Sequence, residues 1–346
     1  MKARIDTTYS KERQLLHKIV PLDTPFTVIV EPISHCNLKC NYCMYTLPKD
    51  EMVKKHNHIF AKLDRVQFDL FIEQLKKFPN QIKSVSFVGS GEPLLHEALP
   101  YMIKQLKKNG IAERITVVTN GVSLSERLSA ELVNAGLDVL KISVNGLSSD
   151  DYLKTCNTAI DFDKYVSEIA WLYANKGKME IYIKTLDTVL GERSVAEFHA
   201  IFGNYCDIIT VENTLDYNYS KIPEESFSGN LSIHKGVHHN PDMCSALFYS
   251  MMLRSTGQFY LCCNPMYGIS NEDMYINKSS ISEIWNSKFR FEILLAMTQK
   301  NWSGNISNCK NCPAKANVAF EEDYLDPYAD EIYQRLLQSS KTWDTK

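Results

Sequence analysis

Cys36-Asn37-Leu38-Lys39-Cys40-Asn41-Tyr42-Cys43 is the stretch that decides how this chain is interpreted, because it places three thiols within eight residues. The stretch follows Thr27–Ile33, an apolar segment typical of a β-strand. Three thiolates can hold three irons of a [4Fe–4S] cluster and leave the fourth iron open to another ligand. A structural zinc ion usually takes four protein ligands, so the triplet alone fits zinc poorly, although the adjacent His35 could supply the fourth.

Length, charge and cysteine content limit the class of protein. The chain has 346 residues, which suits one barrel-type domain with a small appendage. Basic and acidic residues number 38 and 41, so nothing in the overall charge favours nucleic acid or an anionic membrane as a partner. The sequence has neither a run of about 18 apolar residues, as a membrane span needs, nor a signal peptide, so we expect no membrane association and a cytoplasmic location. Ten cysteines in such a chain indicate metal binding or catalysis rather than disulfides.

Apolar, β-branched runs alternate with segments of helical period from residue 25 onward. The six candidate strands are Thr27–Ile33, Ser84–Gly89, Ile115–Asn120, Leu140–Asn145, Met179–Leu186 and Asp207–Thr214. The candidate helices are Arg65–Lys77, Leu99–Lys108, Leu124–Ala135, Asp150–Asn175 and Ser194–Phe202. The alternation predicts parallel βαβ units. We therefore expect an α/β fold with a partial (β/α)6 TIM-like barrel, whose functional groups lie at the carboxyl ends of the strands.

Changes in composition divide the chain into five parts. The third part is polar and rich in Asn, Ser, Gly and Pro, as linkers are, and the fourth is a small Cys-rich α+β unit with a hairpin signal. The parts are an N-terminal extension (1–24), the partial barrel (25–215), the linker (216–242), the Cys-rich unit (243–320) and a C-terminal helix with a tail (321–346).

A second set of cysteines lies in the Cys-rich unit. Seventeen residues, including the hairpin signal, separate Cys244 from Cys262, and a C-x2-C pair, Cys309 and Cys312, follows. Four thiolates in this arrangement can hold a zinc ion or an iron–sulfur cluster. Cys263 directly follows Cys262, and because successive side chains of an extended chain point apart, only one of the two fits a metal corner.

The first cysteine set resembles the cluster-binding motif of the radical S-adenosylmethionine (SAM) enzymes. The second resembles their auxiliary-cluster domain, called SPASM, or its shorter form, called twitch. The resemblance implies that Cys36, Cys40 and Cys43 bind a [4Fe–4S] cluster whose open iron chelates SAM. It also implies an auxiliary [4Fe–4S] cluster on the second set, and the number of cysteines favours the twitch form with one such cluster. A four-thiolate zinc site is the alternative for the second set.

The resemblance also implies SAM contacts around the first cysteine set. Tyr42, the aromatic residue before the last cysteine, is expected near the adenine. Ser90-Gly91-Glu92 resembles the Gly-Gly-Glu motif that binds the SAM amino group, with Ser90 in place of the first glycine. Asn120, at the end of the third strand, is expected near SAM. Considered alone, these two strand ends are also typical of ordinary turns.

Polar residues on the next strands extend this expectation. Ser143 and Asn145 share one face of the fourth strand and are expected at the ribose hydroxyls, although a solvated strand end would look the same. Lys184 interrupts an apolar strand, where a cation needs a partner. The SAM carboxylate and a structural ion pair with an acidic neighbour are equal candidates for that partner, and Glu212 could pair with Lys184 or bind substrate.

The family implies an enzyme that reductively cleaves SAM to a 5′-deoxyadenosyl radical, which abstracts a hydrogen atom from the substrate. We expect oxidation (dehydrogenation) or epimerisation of a small, carbohydrate-like substrate, because the roughly 25 residues before the barrel are fewer than the about 50 that a separate leader-peptide-binding domain needs. Modification of a ribosomal peptide by epimerisation or cross-linking is the alternative. A non-catalytic zinc or iron–sulfur binding protein is the alternative of another class.

Two further expectations concern hydrogen and electron transfer. Cys263 is a candidate catalytic residue that gives a hydrogen atom to a substrate radical, as a cysteine near the auxiliary cluster does in some radical SAM epimerases. A buried free thiol is the other interpretation of this residue. The electron donor is expected to be a protein such as a flavodoxin or a ferredoxin.

Overall fold

The computed structural model describes residues 1–6, 13–56, 58–191, 193–214, 241–264, 268–317 and 320–339. The predicted linker lies outside the described residues except at its last two positions. Strands β1 to β9 span Arg4–Ile5, Thr27–Val30, Ile82–Phe87, Ala112–Thr119, Val139–Ser143, Glu180–Leu186, Ile208–Glu212, Ser250–Leu253 and Phe259–Tyr260. Helices α1 to α13 span Leu16–Ile19, Lys49–His56, Arg65–Leu75, Leu99–Lys108, Glu126–Ala135, Ser149–Cys156, Phe162–Asn175, Asp187–Leu190, Val195–Phe202, Ala246–Tyr249, Ile281–Trp285, Lys288–Thr298 and Ala329–Ser339.

The strands form one sheet in the order β1-β7-β6-β5-β4-β3-β2-β8-β9. Strands β2 to β7 are the six predicted strands, and they pair in parallel with their neighbours in the sequence. Helices lie in each connection between them. The prediction of a partial (β/α)6 barrel is therefore confirmed.

Both edges of this six-stranded unit are covered, which the sequence did not predict. Strand β1 pairs in parallel with β7, and β8 pairs in parallel with β2. Pairing with a further strand gives hydrogen-bond partners to the backbone N–H and C=O groups of an edge strand, which could otherwise pair with another chain. The predicted hairpin is present, since β8 and β9 pair antiparallel with Met252 opposite Tyr260. The Cys-rich unit therefore shares the sheet of the barrel.

The two faces of the sheet differ in burial. On β2, Val28 and Val30 are fully buried under the helices, whereas Thr27 and Ile29 are half-buried. Side chains alternate between the two faces along a strand. The residues paired with Thr27 and Ile29 on the next strand, and those paired with them in turn across the sheet, therefore share one face, which we call the inner face. Its members include Thr27, Ser84, Ser86, Thr116, Lys141, Ser143, Tyr182, Lys184, Thr210 and Glu212.

One predicted helix is wrong. Asp150–Asn175 is not continuous but consists of α6 and α7. Asn157 adopts the left-handed conformation, with φ 47°, and ends α6. The side chain of Asp161 accepts a hydrogen bond from the backbone N–H of Lys164 and caps the start of α7. The break brings the carboxyl end of α6 to the first cysteine set.

The segment after the first cysteine set folds over it. Met44, Tyr45 and Met52, the last in α2, are buried together and pack against Cys36 and Cys43. This segment therefore shields two of the thiols on one side. None of the helices in the described part of the chain is long and apolar enough to cross a bilayer.

Candidate active site and auxiliary metal centre

The loop that carries Cys36, Cys40 and Cys43 directly follows β2 and is held by α6. The backbone N–H of Lys39 donates to the carbonyl of Cys156 at 3.0 Å, and that of Asn41 donates to the carbonyl of Thr155 at 2.8 Å. The last carbonyls of a helix have no partner within the helix, so α6 offers these acceptors. The three thiols of the predicted cluster site thus lie on one ordered loop, and all three are half-buried.

Backbone N–H groups point at the sulfur atoms of this loop. The N–H of Leu38 lies 3.5 Å from Cys36 Sγ, and the N–H groups of Met44 and Tyr45 donate to Cys43. Burial raises the pKa of the Cys43 thiol to about 12. A metal must therefore displace the thiol proton on binding, and the N–H donors are placed to stabilise the resulting thiolate. These residues fit an iron–sulfur cluster.

Cys156 also lies beside this site. It is fully buried, and its Sγ is 3.4 Å from that of Cys40. The contact follows from the break between α6 and α7, since Cys156 is the last residue of α6. A helical pattern in the sequence does not show which loop the end of the helix meets.

Ser90-Gly91-Glu92, after β3, packs against the backbone that leads into the cysteine loop. A side chain at Gly91 would overlap the carbonyl oxygen of Ile33 and lie 2.7 Å from that of His35. The N–H of Glu92 donates to the carbonyl of His35 at 2.8 Å. A glycine is therefore required for this close approach.

The carboxylate of Glu92 joins the ends of β3 and β4. It is buried and accepts hydrogen bonds from Leu94 N at 2.9 Å, Thr119 Oγ1 at 2.6 Å and Asn120 N at 2.7 Å. Burial outweighs these hydrogen bonds and raises the pKa of Glu92 above its usual value. The side chain thus has a structural role here, and the contact of this motif with the SAM amino group stays a prediction.

Asn120 reaches the first cysteine set directly. Its Nδ2 donates to Asn37 Oδ1 at 2.8 Å and lies 4.0 Å from Cys36 Sγ. Its Oδ1 accepts from the N–H of Val122 at 2.9 Å. The structure therefore brings Asn120 to the predicted site. Asn37 was missed, because nothing in its neighbourhood distinguishes it from any polar loop residue.

Tyr42 and Asn145 also meet, since the Tyr42 hydroxyl donates to Asn145 Oδ1. The backbone N–H of Asn145 donates to the hydroxyl of Tyr152 at 3.2 Å. Two tyrosines therefore hold Asn145, one at its side chain and one at its backbone. Ser143 lies two residues earlier, half-buried on the inner face. The face shared by Ser143 and Asn145 is therefore next to the cysteine loop, and the contacts of these residues with SAM stay predictions.

Lys184 forms the ion pair that the sequence left open. Its Nζ lies 2.5 Å from Glu212 Oε2. The two side chains are 20% and 2% exposed, so the pair is largely shielded from water. Glu212 thus satisfies the electrostatic need of Lys184 in this structure. A contact with the SAM carboxylate stays a prediction for Lys184.

Glu31, at the carboxyl end of β2, was missed. It is fully buried, and Arg254 Nε donates to its carboxylate at 2.7 Å. The hydroxyl of Ser255 donates to it at 3.0 Å, and both the N–H and the hydroxyl of Ser90 do so as well. Glu31 therefore links the predicted SAM loop to the hairpin of the Cys-rich unit. One signal in the sequence could have revealed Glu31. It is an acidic residue at the end of an apolar strand, and it lies two residues after Ile29 and so on the same face.

The second cysteine set surrounds one cavity. Five thiols line it together with apolar side chains, among which are those of Leu247, Ile269 and Met297; the cysteines are Cys244, Cys262, Cys263, Cys309 and Cys312. Asn264 Nδ2 lies 3.5 Å from Cys312 Sγ. The structure thus brings all four predicted ligands of the auxiliary cluster together, with Cys263 beside them.

The surroundings of Cys262 differ from those of Cys263. Backbone N–H groups of Ile269 and Asn264 donate to the Cys262 sulfur, as those of Leu247 and Ala246 do to Cys244. Burial and the neighbouring thiols raise the pKa of Cys263 well above its usual value. The donors to Cys262 favour it as the ligand of the adjacent pair.

The arrangement of the thiols bears on the choice between zinc and a cluster. The thiols of the second set line the wall of one cavity. Zinc needs its ligands at about 2.0–2.3 Å from one ion. In a [4Fe–4S] cluster each thiolate binds a different iron, so the ligands surround a cavity. Thiols arranged around a cavity fit the cluster better.

Comparison with protein families decides the identity of the two halves. A family model described as the radical SAM superfamily matches residues 30–200, and one described as the SPASM iron–sulfur cluster-binding domain matches residues 244–313. The chain belongs to the radical SAM superfamily. Its two matched domains imply a [4Fe–4S] cluster that binds SAM and an auxiliary iron–sulfur cluster.

Curated relatives of this radical SAM protein match part of it. A tungsten-containing aldehyde ferredoxin oxidoreductase cofactor-modifying protein of Pyrococcus furiosus is 30% identical over 118 residues, which are 34% of this chain and 30% of the relative. A GTP 3′,8-cyclase of Aquifex aeolicus is 27% identical over 225 residues, or 58% of this chain and 62% of the relative. The chain thus matches less than two thirds of the length of either relative.

Solved structures share the fold over most of the chain. BtrN in complex with AdoMet and 2-DOIA is 18% identical, with 86% of this chain and 97% of that chain covered and a TM-score of 0.53. SuiB of Streptococcus suis is 16% identical, with 87% and 73% covered and a TM-score of 0.60. AnSMEcpe with bound AdoMet and the Cp18Cys peptide is 16% identical, with 91% and 99% covered and a TM-score of 0.53. At these identities the likeness shows the fold, and it confirms the predicted fold class.

Proposed function

We propose that this radical SAM protein oxidises or epimerises a small, carbohydrate-like substrate. The observation that carries the proposal is the chemistry of the inner face. Short hydroxyl side chains lie there on neighbouring strands: Ser84, Ser86, Thr116, Ser143 and Thr210. All except the buried Thr116 are half-buried. A closed TIM barrel fills this space with bulky branched side chains, whereas short hydroxyls leave room and can both donate to and accept from sugar hydroxyls.

The residues at the strand ends would place SAM above this face. Cys36, Cys40 and Cys43 would hold the cluster, which supplies the electron that cleaves SAM when it is reduced. The loop of Gly91 and the amide of Asn120 lie against the cysteine loop, where they can orient SAM and exclude water. The 5′-deoxyadenosyl radical would then form next to the inner face and take a hydrogen atom from a substrate C–H bond.

Oxidation and epimerisation differ in the fate of the substrate radical. In oxidation, the substrate radical at an alcohol carbon loses the hydroxyl proton and one electron, leaving a C=O group, and the auxiliary cluster on Cys244, Cys262, Cys309 and Cys312 would accept that electron. In epimerisation, the substrate radical regains a hydrogen atom on the opposite face, and Cys263 would supply it. The sulfur radical left on Cys263 would return to the thiol by taking one electron from the protein reductant and one proton from solvent. We propose one auxiliary cluster, because the five thiols that line the cavity are enough for one [4Fe–4S] cluster and too few for two. A flavodoxin or a ferredoxin would supply the electrons for SAM cleavage.

The test begins with metal content. Anaerobically reconstituted protein should contain about eight iron and eight sulfide per chain, as two [4Fe–4S] clusters require. About four iron would leave one cluster, and zinc with little iron would identify a zinc-binding protein. Cys36→Ala is compared with the matched control Cys206→Ala. Cys206 is fully buried, its thiol donates to the carbonyl of Phe202 at 3.4 Å, and neither family motif includes it.

The second step measures turnover. The protein is incubated with SAM and reduced flavodoxin or dithionite, and 5′-deoxyadenosine is quantified with aminoglycoside-type and nucleotide-type sugars and with peptides. Stimulation by a sugar with a product lighter by two hydrogens supports oxidation, and an isomeric product that carries solvent deuterium supports epimerisation. Stimulation by peptides alone would replace the proposal with peptide modification, which the solved complexes of AnSMEcpe and SuiB with peptides make the competing activity. Absence of SAM cleavage with every reductant would show a non-catalytic protein.

Cys263→Ala separates the two reactions. If Cys263 returns the hydrogen atom, this variant should lose the epimer while SAM cleavage continues. If the reaction is oxidation, the ketone should form as in the wild type. The neighbouring Cys262→Ala should instead lose the iron of the auxiliary cluster.

A further inference from the structure

Lys141 is a charged residue of the inner face that the functions above leave unused. It lies on β5, half-buried, opposite Tyr182 on β6 and Val118 on β4. Its Nζ is 5.9 Å from the centre of the Tyr182 ring. Among the described residues, Lys141 forms no hydrogen bond and no ion pair.

The other charged residues around it are paired. Lys184 lies 2.5 Å from Glu212, and Arg114 lies 2.7 Å from Glu180. These are the charged groups that act on Lys141 across the inner face. Three cations thus face two carboxylates, which leaves one positive charge in excess. The excess positive charge is that of Lys141, because Lys184 and Arg114 each already have a carboxylate partner.

A half-buried ammonium group without a carboxylate costs free energy unless a partner arrives. Burial and the charge of Lys184 lower the pKa of Lys141 to about 8, from a usual value of 10.5. The surroundings therefore favour either loss of the proton or gain of a negative charge. An anion bound at Nζ would raise the pKa and complete the charge balance.

The register places Lys141 within the substrate space. Ser143 and Lys184 form one register pair near the strand ends, and Lys141 and Tyr182 form the pair two residues deeper. SAM is expected at the strand ends, so a group next to Lys141 belongs to the molecule on which the radical acts. The half-buried hydroxyls of Ser86 and Ser143 lie on the same face, on β3 and β5.

We propose that Lys141 binds an anionic group of the substrate, a phosphate or a carboxylate, and thereby fixes the hydroxylated part of the substrate beneath SAM. This inference rests on the proposed function, whose carbohydrate-like substrate it narrows to a sugar phosphate or a sugar acid. Lys141 is a binding residue here, and it does not take part in hydrogen-atom transfer.

The test is anaerobic calorimetry on the cluster-loaded protein with SAM present and no reductant. The probes are glucose 6-phosphate, glucuronate, glucose and sulfate. Wild-type protein should bind sulfate and at least one of the two charged sugars more tightly than glucose. Preference for glucose 6-phosphate identifies a phosphate, and preference for glucuronate identifies a carboxylate.

Variants assign the binding to Lys141. Lys141→Gln should weaken binding of the charged probe by about tenfold or more, because a hydrogen bond between two charged groups is lost. Lys141→Arg keeps the charge and should stay within about threefold. Lys104→Gln, at an exposed position on α4, is the matched control and should bind as the wild type does. Unchanged binding in Lys141→Gln, or no binding of sulfate and both charged sugars at millimolar concentration, overturns the proposal.

A pH series keeps the test valid if Lys141→Gln fails to fold. The charge of sulfate is constant near neutrality, so its affinity for the wild type should fall between about pH 7 and pH 9 as Lys141 loses its proton. In Lys141→Arg the affinity should stay level over that range, and a parallel fall in both proteins counts against the proposal.

The binding assay needs no SAM cleavage, so it separates this proposal from the proposed function. Anion binding without SAM cleavage would overturn the proposed function alone, and SAM cleavage without anion binding would overturn the role of Lys141 alone.

Discussion

Replacing Glu31 by Gln should destabilise the protein far more than its small change in shape suggests. The Glu31 carboxylate is fully buried and accepts from Arg254 Nε at 2.7 Å, from Ser255 N at 3.2 Å and from the N–H of Ser90 at 2.9 Å. Gln keeps one acceptor oxygen but turns an NH2 group toward these donors. It also removes the negative charge that faces Arg254.

The burial of the pair sets the magnitude. Arg254 is 7% exposed and Glu31 is 0% exposed, so water screens their attraction little. Removing one partner of a buried ion pair costs about 3–5 kcal/mol, and we expect the lower end because one oxygen of Gln remains. The exposed pair of Lys62 and Glu97 is the matched control, with side chains 42% and 72% exposed. Glu97→Gln should cost less than about 1 kcal/mol.

The assay is urea unfolding of the reconstituted proteins under anaerobic conditions, followed by tryptophan fluorescence. Trp285 is a suitable reporter, since it is fully buried and donates from Nε1 to the carbonyl of Leu22 at 2.7 Å. Arg254→Gln and the double variant complete a double-mutant cycle, whose coupling should be about 1–3 kcal/mol. Strictly additive single effects would refute the role of the pair, as would equal midpoints for Glu31→Gln and Glu97→Gln.

The same residue predicts a pH dependence. Burial raises the pKa of Glu31, but the charge of Arg254 and the hydrogen bonds from Ser90 and Arg254 outweigh it, so the pKa lies below its ordinary value of 4.5. A carboxyl group with a depressed pKa contributes stability above its unfolded pKa, and this is lost as the pH falls through the folded pKa. The difference in unfolding free energy between wild type and Glu31→Gln should therefore be constant above about pH 5.5 and shrink below about pH 4.5. A difference that grows on acidification would contradict this sign.

Other substitutions test contacts at the first cysteine set and in the core of the Cys-rich unit. Gly91→Ala should lower iron content and SAM affinity together, because its Cβ would overlap the backbone just before the first cysteine; unchanged SAM binding by calorimetry would contradict this. Cys156→Ala should keep its iron while Cys40→Ala loses the SAM-binding cluster, because Cys156 lies beside a ligand and is not itself one; iron analysis and the visible spectrum decide, and equal losses would make Cys156 a ligand. Arg290→Lys should cost about 1–3 kcal/mol in urea although it keeps the charge, because only a planar guanidinium stacks on Trp285 at 3.4 Å while donating to two carbonyls. An unchanged midpoint for Arg290→Lys would show that the stacking contributes nothing.

The sequence predicted what depends on local pattern. The six strands from Thr27 to Glu212 were found because alternation and β-branched runs recur at regular intervals along the chain. The first cysteine set was found because metal ligands often occur at short, fixed spacings, and the closely spaced pair Cys309 and Cys312 pointed to the second set in the same way. The helix break at Asn157 was missed, since a single residue in the left-handed conformation leaves the helical period on either side unchanged.

Contacts between distant segments could not be predicted in the same way. Glu31 and Arg254 are 223 residues apart, and neither has a local pattern that names its partner. Lys184 shows a different limit: a cation inside an apolar strand signals a partner, but Glu212 and a SAM carboxylate would satisfy it equally well. Sequence therefore predicted two sets of candidate ligands, and the structure was needed to show which polar groups surround them.

The placement of Glu31 also bears on how the two metal centres keep their relative position. Its carboxylate binds Ser90 in the predicted SAM loop and Arg254 at the end of β8, whose strand pairs in parallel with β2. The hairpin that leads to Cys262 begins at the same point. Because the sheet is continuous through β2 and β8, a shift of the Cys-rich unit would have to break both strand pairing and a buried ion pair. Strand pairing and this ion pair thus fix the cavity lined by the second cysteine set relative to the predicted SAM loop.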